Sequence, residues 1–230
     1  MAKKRFALHN SYFKKTKMLQ LPDTLLEIAK YKEEHGELPF EYNGNNWIYD
    51  AMCERQKYNG VLNSQYLTPD ATAERMMHFA GEYFKEDNVL EPFCGTGQIT
   101  KELIKDGYNV SAFDNDMWMV ELCSNECKEA SVTIVDFKDM KINNYAFHHQ
   151  IICNPPYEIP VLTEFFEWMA DHQDEGSISI LLLPKGFIDK TSPKRLAQVI
   201  RKFGVLEKEN MRDDFARTKT KAEIVVLKKL

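Results

Sequence analysis

The chain has 230 residues, 43% of them hydrophobic and 28% charged, the balance of a globular protein of one domain plus an added layer rather than of a disordered or repetitive chain. A net charge of −5 argues against general coating of nucleic acid, because neutralising phosphates calls for an excess of Lys and Arg. Lys3, Lys4 and Arg5 are followed by no apolar run, nowhere do apolar residues approach a span of membrane length, and Cys53, Cys94, Cys123, Cys127 and Cys153 form no CxxC pair. A cytoplasmic protein with no membrane span, disulfide framework or structural zinc is therefore expected.

In chain order, residues 1–20 carry Lys3, Lys4, Arg5, Lys14, Lys15 and Lys17 with no acid. From Pro22 to His35 the spacing of Leu25, Ile28 and Ala29 predicts an amphipathic helix stopped by Gly36, and a second short helix is expected over Trp47–Lys57. Thr68-Pro69-Asp70 opens a third over Ala71–Phe84, with proline where a helix start tolerates it. After Asp87 the character changes. Val89–Leu90, Val110–Phe113, Val132–Val135, Gln150–Cys153 and Ile178–Leu183 are short apolar runs that read as buried strands. Between them, helices are predicted at Ile99–Lys105, Met117–Lys128, Val161–His172 and Pro193–Phe203. That alternation is the pattern of a parallel, doubly wound sheet with helices on both faces. Val205–Glu207 and Glu223–Leu227, joined by a basic stretch that includes Arg212, Arg217, Lys219 and Lys221, predict an antiparallel hairpin.

The first strand runs through Glu91-Pro92-Phe93-Cys94-Gly95-Thr96-Gly97 into a helix. Glycines there let the backbone approach a ligand, and the helix start offers free N–H groups, so a cofactor cradle is expected. Thr100 stands where GxGxxG needs its third glycine, which disfavours a dinucleotide. Asp114, at the next strand end about 20 residues on, suits ribose hydroxyls, while Asp116 reads either as a second acid or as a helix N-cap. One strand later Asp136-Phe137 offers a carboxylate and a ring for an adenine amino group and its face.

The fourth strand ends in Asn154-Pro155-Pro156-Tyr157. Two prolines make this a rigid, extended turn with a free carbonyl at Pro155. An exocyclic amine is a poor nucleophile because its lone pair is delocalised into the ring. Accepting its N–H bonds with the Asn154 side-chain oxygen and the Pro155 carbonyl favours the more tetrahedral nitrogen of the transition state. Tyr157 supplies a stacking face.

These residues resemble the amino-methyltransferases of DNA, whose Asn/Asp/Ser-Pro-Pro-Tyr/Phe/Trp motif binds the target amine. Gln65-Tyr66-Leu67-Thr68-Pro69 is similar to the segment that precedes the cofactor motif in the group called gamma. The resemblance implies a Rossmann-like class I methyltransferase sheet, mostly parallel with an antiparallel C-terminal hairpin, over residues 64–230, with a helical extension over 1–63. It implies S-adenosylmethionine as cofactor. Tyr66, Thr68, Glu91 and Gly95 would line its methionine side, Asp114 the ribose, and Asp136 and Phe137 the adenine, with Pro69, Phe93 and Gly97 also at the cofactor. Thr218 to Val226 is similar to the family's last motif, beside the base pocket, so Lys219, Thr220 and Lys221 are expected at the substrate, with Lys185 bordering it. The chain stops soon after that motif, where the family's sequence-reading members carry a target-recognition domain. Residues 1–60 or a separate specificity subunit are the expected source of DNA contacts.

The activity expected is methyl transfer to an exocyclic amine of a base, N6 of adenine in DNA, by direct in-line displacement and without a metal. N4 of cytosine suits the same acceptors, and RNA or a protein glutamine is the rival substrate. An inactive methyltransferase-like subunit is the non-enzymatic rival. Cys94 and Cys153 read as packing residues, His148-His149 as loop, and Trp47 and Trp118 as core.

Overall fold

A computed structural model describes residues 25–39, 47–48, 50–52, 66–140, 149–190, 193–211, 215 and 220–230. The chain divides into two compact units, Met1–Met52 and Cys53–Leu230. In the first, α1 (Leu25–His35) buries Leu25 and Ile28, three residues apart on one face. Gly36, at φ +71°, ends it and donates its N–H to the Lys32 carbonyl at 2.9 Å. Residues 47–48 and 50–52 are helical, with Ala51 and Met52 buried, and Lys32 Nζ lies 5.7 Å from the Trp47 ring centre. The remainder of the helices expected from Pro22 and to Lys57 lies outside the described residues.

The second unit begins, among described residues, with α2 (Asp70–Tyr83), whose first turn donates from Thr72 and Ala73 to the Pro69 carbonyl. There follow β1 (Asn88–Pro92), α3 (Gln98–Lys105), β2 (Asn109–Asp114), α4 (Met117–Glu126) and β3 (Ser131–Ile134). After β4 (Gln150–Cys153) come α5 (Ile159–His172), β5 (Ile178–Pro184), α6 (Lys194–Ile200), β6 (Phe203–Asn210) and β7 (Ala222–Lys229). The sheet order is β3-β2-β1-β4-β5-β7-β6. β1 to β5 pair in parallel, and β7 lies antiparallel between β5 and β6.

Period-two alternation sends side chains to two separate cores. Ile152, Ile180, Leu182, Ile224 and Val226 meet α2 and α3 through Met76, Phe79, Ile99 and Leu103. Ile151, Cys153, Leu181, Leu183 and Val225 meet α5 and α6 through Leu162, Phe165, Phe166 and Leu196. Strands buried on both faces are why the sequence reads as unbroken apolar runs rather than alternation. The chain reverses direction across the sheet between β1 and β4, and the crevice at such a switch point is where open α/β sheets bind ligands.

Three expectations need correction. The run Val132–Val135 forms β3, but as the edge of the sheet it leaves Ser131, Thr133 and Ile134 exposed instead of buried. The helix expected to reach Phe203 ends at Ile200, because Phe203 pairs with Lys229 and starts β6. The hairpin strands are longer than Val205–Glu207 and Glu223–Leu227, with a bulge between Val205 and Glu207. No helix among the described residues is long and apolar enough to cross a membrane.

Candidate active site

The turn after β1 passes through Phe93 at φ +61°, Gly95 at +55° and Gly97 at +88°. Glycine is required at the last two for different reasons. A Cβ on Gly95 would meet nothing within 4 Å, so only its backbone angle excludes other residues, whereas one on Gly97 would lie 2.9 Å from Cys123 Sγ and 3.0 Å from Cys127 Sγ. Phe93 is a bulky residue in a left-handed conformation, a strain of order 1–3 kcal/mol of the kind found at functional sites. Ring contacts to Phe137 and Phe165, at 5.3 and 5.0 Å, hold it there.

Asp114, at the end of β2, accepts the Gly95 N–H at 3.1 Å with Oδ2 and the Asp116 N–H at 2.9 Å with Oδ1. Burial pushes its carboxyl up from 3.8 to about 6, against the pull of those N–H groups. Asp116 takes the N-cap alternative, accepting from Trp118 N at 3.0 Å. Asp136 accepts from Lys138 N at 3.0 Å and from Asn115 Nδ2 at 3.3 Å. Phe137 is buried against Phe93, Phe165 and Trp168, so its ring is part of the core as well as of the cavity wall.

Glu91 is buried on β1, where the Thr100 hydroxyl donates to its Oε2. Thr100 thus uses the place of the missing third glycine to hold an acid. Desolvation raises Glu91 well above the usual carboxylate range. A buried carboxyl with a hydroxyl but, among the described residues, no basic group beside it suits a ligand cation. It opens on a cavity of about 310 Å³ also lined by Tyr66, Thr68, Phe93, Gly95, Asp114, Asp136, Phe137, Asn154 and Pro156. The cavity thus carries three acids, Glu91, Asp114 and Asp136, the last beside the Phe137 ring.

Asn154 leaves β4 at the rim of this cavity. Its Nδ2 donates to the Tyr66 carbonyl at 3.0 Å and to Thr68 Oγ1 at 3.2 Å. The Tyr157 ring packs 6.3 Å from Tyr66 and 6.0 Å from Phe215. Its hydroxyl is buried with no partner among the described residues, and burial raises its pKa.

The cavity does not take in every residue expected there. Pro69 caps α2, Gly97 packs on thiols, Pro155 is buried, and Tyr157 sits in the aromatic group just described. Lys185 and Lys221 are exposed neighbours, linked by Lys185 N donating to the Lys221 carbonyl at 3.0 Å, with Thr220 next to Lys221 in the chain; Lys219 lies outside the described residues. The sequence reading missed Gln98, Asn115, Met119, Lys138, Glu158 and Val161 on the cavity wall, and Phe215 beside Tyr157. Each follows a motif residue by only a few positions except Phe215, an isolated aromatic in a basic stretch with no local signal. Cys94 and Cys153 are buried, and burial raises both thiols, as packing residues require. His149 faces Asp174 at 3.7 Å.

No protein-family model matches the chain. It is 26% identical over 202 residues to the modification methylase CviBIII of Paramecium bursaria Chlorella virus NC1A, covering 76% of this chain and 51% of that protein. It is 29% identical over 110 residues to ribosomal RNA small subunit methyltransferase A of Thermotoga maritima, covering 46% of this chain and 39% of that protein. The chain therefore spans about half or less of the curated relatives it matches. Among solved structures, PH1948 of Pyrococcus horikoshii, described as a candidate RNA methyltransferase, superimposes with a TM-score of 0.59 at 16% identity, over 89% of this chain and 98% of that one. The N-methyltransferase NodS of Bradyrhizobium japonicum WM9, in complex with S-adenosyl-L-homocysteine, gives 0.55 at 10% identity over 69% and 86%. The fold is that of the class I S-adenosylmethionine-dependent methyltransferases, and the chain is homologous to a modification methylase and to ribosomal RNA methyltransferases.

Proposed function

We propose that this chain binds S-adenosylmethionine in the cavity and directs its methyl group to an exocyclic amino group of a nucleic-acid base, with N6 of adenine in DNA as the first expectation. The observation that carries the reading is the amide of Asn154. Both of its protons are committed to Tyr66 and Thr68, which leaves Oδ1 purely an acceptor, with no partner among the described residues, on the cavity wall. A site for an amine nucleophile needs that polarity, and the Pro155 carbonyl is the second acceptor.

Bound S-adenosylmethionine supplies an electrophilic methyl group on sulfonium sulfur. Glu91 would hold the cofactor's ammonium, Asp114 its ribose hydroxyls, and Asp136 with Phe137 its adenine. Asn154 Oδ1 and the Pro155 carbonyl would accept the two N–H bonds of the target amine and so orient its lone pair toward the cofactor side of the cavity. With its methyl given up to the amine, the cofactor would leave as the neutral thioether; Asn154 Oδ1 and the Pro155 carbonyl would hold the amine more strongly as positive charge grows on its nitrogen, which would then lose one proton to solvent. Tyr157, backed by Phe215, is the candidate stacking face for the base. Lys185, Thr220 and Lys221 are the candidate phosphate contacts, with Lys219, outside the described residues, expected beside them in the chain. A base in a duplex must be flipped out first at a few kcal/mol, so single strands and loops are the easier substrates. The division into a helical extension over 1–63 and a catalytic domain over 64–230, and a separate specificity subunit, belong to the same reading. RNA is the second substrate reading, favoured by the ribosomal RNA methyltransferase relatives.

The test is transfer of labelled methyl to double-stranded DNA, single-stranded DNA, RNA and protein in parallel, followed by nucleoside analysis. N6-methyladenine in DNA is expected. Label in RNA or protein moves the substrate, and cofactor binding without transfer to any of them sinks the enzymatic reading. Asn154→Ala is expected to lower turnover by about 10²–10³-fold while cofactor affinity stays close to wild type; wild-type turnover would remove Asn154 from the chemistry.

A further inference from the structure

We propose that Thr68, together with the Tyr66 carbonyl, is the device that orients the Asn154 amide, which makes Thr68 a positioning residue for methyl transfer. Its kinetic consequence rests on the function proposed above; its geometry does not. A primary amide has two ends of nearly equal size, and only its hydrogen-bond partners decide which faces a ligand. A backbone carbonyl can only accept, so the atom 3.0 Å from the Tyr66 oxygen must be Asn154 nitrogen. The second proton of that nitrogen goes to Thr68 Oγ1 at 3.2 Å. Turned the other way, the amide would set its oxygen against the Tyr66 carbonyl and offer N–H groups to an amine that itself brings N–H groups.

Tyr66 and Thr68 are 88 and 86 residues from Asn154 in sequence and reach it only because the segment leading into α2 crosses the end of β4. Thr68 is only 7% exposed, so water cannot readily replace its hydroxyl. It is anchored from the following residue, since the Pro69 carbonyl accepts the Thr72 and Ala73 N–H groups in the first turn of α2. Its branched Cβ restricts χ1. The same segment lines the cofactor cavity through Tyr66, Leu67 and Thr68, so an occupant that orders it also orders the amine acceptor. The resemblance assigns Thr68 to the cofactor; the geometry adds a second role, and the two leave different signatures. A residue that serves only the cofactor affects cofactor affinity, whereas one that aims Asn154 affects turnover.

The first readout needs no substrate. In ¹⁵N-labelled protein the Asn154 side-chain amide resonance, assigned by its disappearance in Asn154→Asp, is expected to show two protons slowed in solvent exchange. Thr68→Val, which keeps the shape and removes the oxygen, should let one of them exchange like an exposed amide, and Thr68→Ser should restore the protection. Turnover should fall about 10–100-fold in Thr68→Val, less than on loss of a direct acceptor, with the larger part of the effect in kcat rather than in cofactor affinity. Thr68→Ser should recover most of it. If valine unfolds the protein, Thr68→Ala makes the same test. Unchanged amide protection in the valine variant overturns the proposal, as does a loss confined to cofactor affinity or a serine variant no better than valine. Should wild-type protein methylate no nucleic acid while the amide signature still follows Thr68, the proposed function fails and the orienting role stands.

Discussion

The turns that follow β1 and β4 sit side by side in the sheet and bound the same cavity, yet they are made from opposite materials. The β1 turn runs through three residues with positive φ, two of them glycine, with the Gly95 N–H given to Asp114 and those of Cys94 and Gly97 to backbone carbonyls. The β4 turn carries two prolines, which remove N–H groups and fix φ, and its leading side chain is tied down by a distant segment. A cofactor cradle has to bring backbone close to a ligand, so it needs conformations that side chains forbid. A site that aims acceptors at a small amine needs rigidity and an unambiguous amide. The comparison breaks most visibly at Gly97. Alanine there adopts left-handed backbone and drives a methyl into two buried sulfurs, a combined cost of about 2–4 kcal/mol, whereas Gly95→Ala, with open space around it, costs about 1 kcal/mol from the backbone alone. Denaturant unfolding of the two variants measures the difference. Equal losses would mean that the thiols, not the glycine, give way.

How much of the molecule is legible in the sequence follows the same division. The glycine turn, the acids at three successive strand ends and the Asn-Pro-Pro-Tyr turn are local signals, and most of their residues line one cavity. The alternation of elements also carries the sheet, because strands buried on both faces are continuous apolar runs. What escapes is non-local. No pattern around Thr68 shows that it meets Asn154, and nothing near Phe215 shows that it meets Tyr157, since each pairing is created by topology. Val132–Val135 has the composition of a core strand, yet β3 is an edge; that position depends on strand order, which local sequence does not encode. Thr100 is legible only as a missing glycine, although its hydroxyl holds Glu91.

Glu91 sharpens the comparison on the cofactor side. Burial favours its protonated form, while the proposed pairing with a cofactor ammonium would need the carboxylate. Cofactor binding must then expel a proton, so affinity falls as pH is lowered. Glu91→Gln removes the charge partner of a buried ammonium, worth about 1.5–3 kcal/mol, or roughly 10–100-fold in affinity. Calorimetric titration in buffers of different ionisation enthalpy reads both the affinity and the proton release. The slope that survives in the variant should be that of Asp114, centred near 6. A variant that binds as tightly as wild type, with the same proton release, would move the ammonium away from β1.

The smallest expected effect has the opposite sign. Asp114 titrates at about 6 in the folded chain against a reference of 3.8, so between those values the folded state holds more proton than the unfolded one and stability falls as pH rises through the window. At neutral pH the full gap corresponds to about 3 kcal/mol against the ionised folded state. Replacing the acid with asparagine escapes that cost, but an amide has one oxygen where the carboxylate has two, and one of the N–H groups of Gly95 and Asp116 would lose its acceptor, at about 1 kcal/mol. Asp114→Asn should therefore be about 1–2 kcal/mol more stable than wild type at pH 7. Below about pH 3, where the wild-type acid is protonated in both states, that gain should be gone. Its cofactor affinity should fall at the same time, because ribose hydroxyls lose a charged acceptor. Paired unfolding curves at the two pH values decide it: a variant less stable than wild type at pH 7 would show that the two backbone N–H groups outweigh burial, and that this acid is held ionised by its turn rather than strained within it.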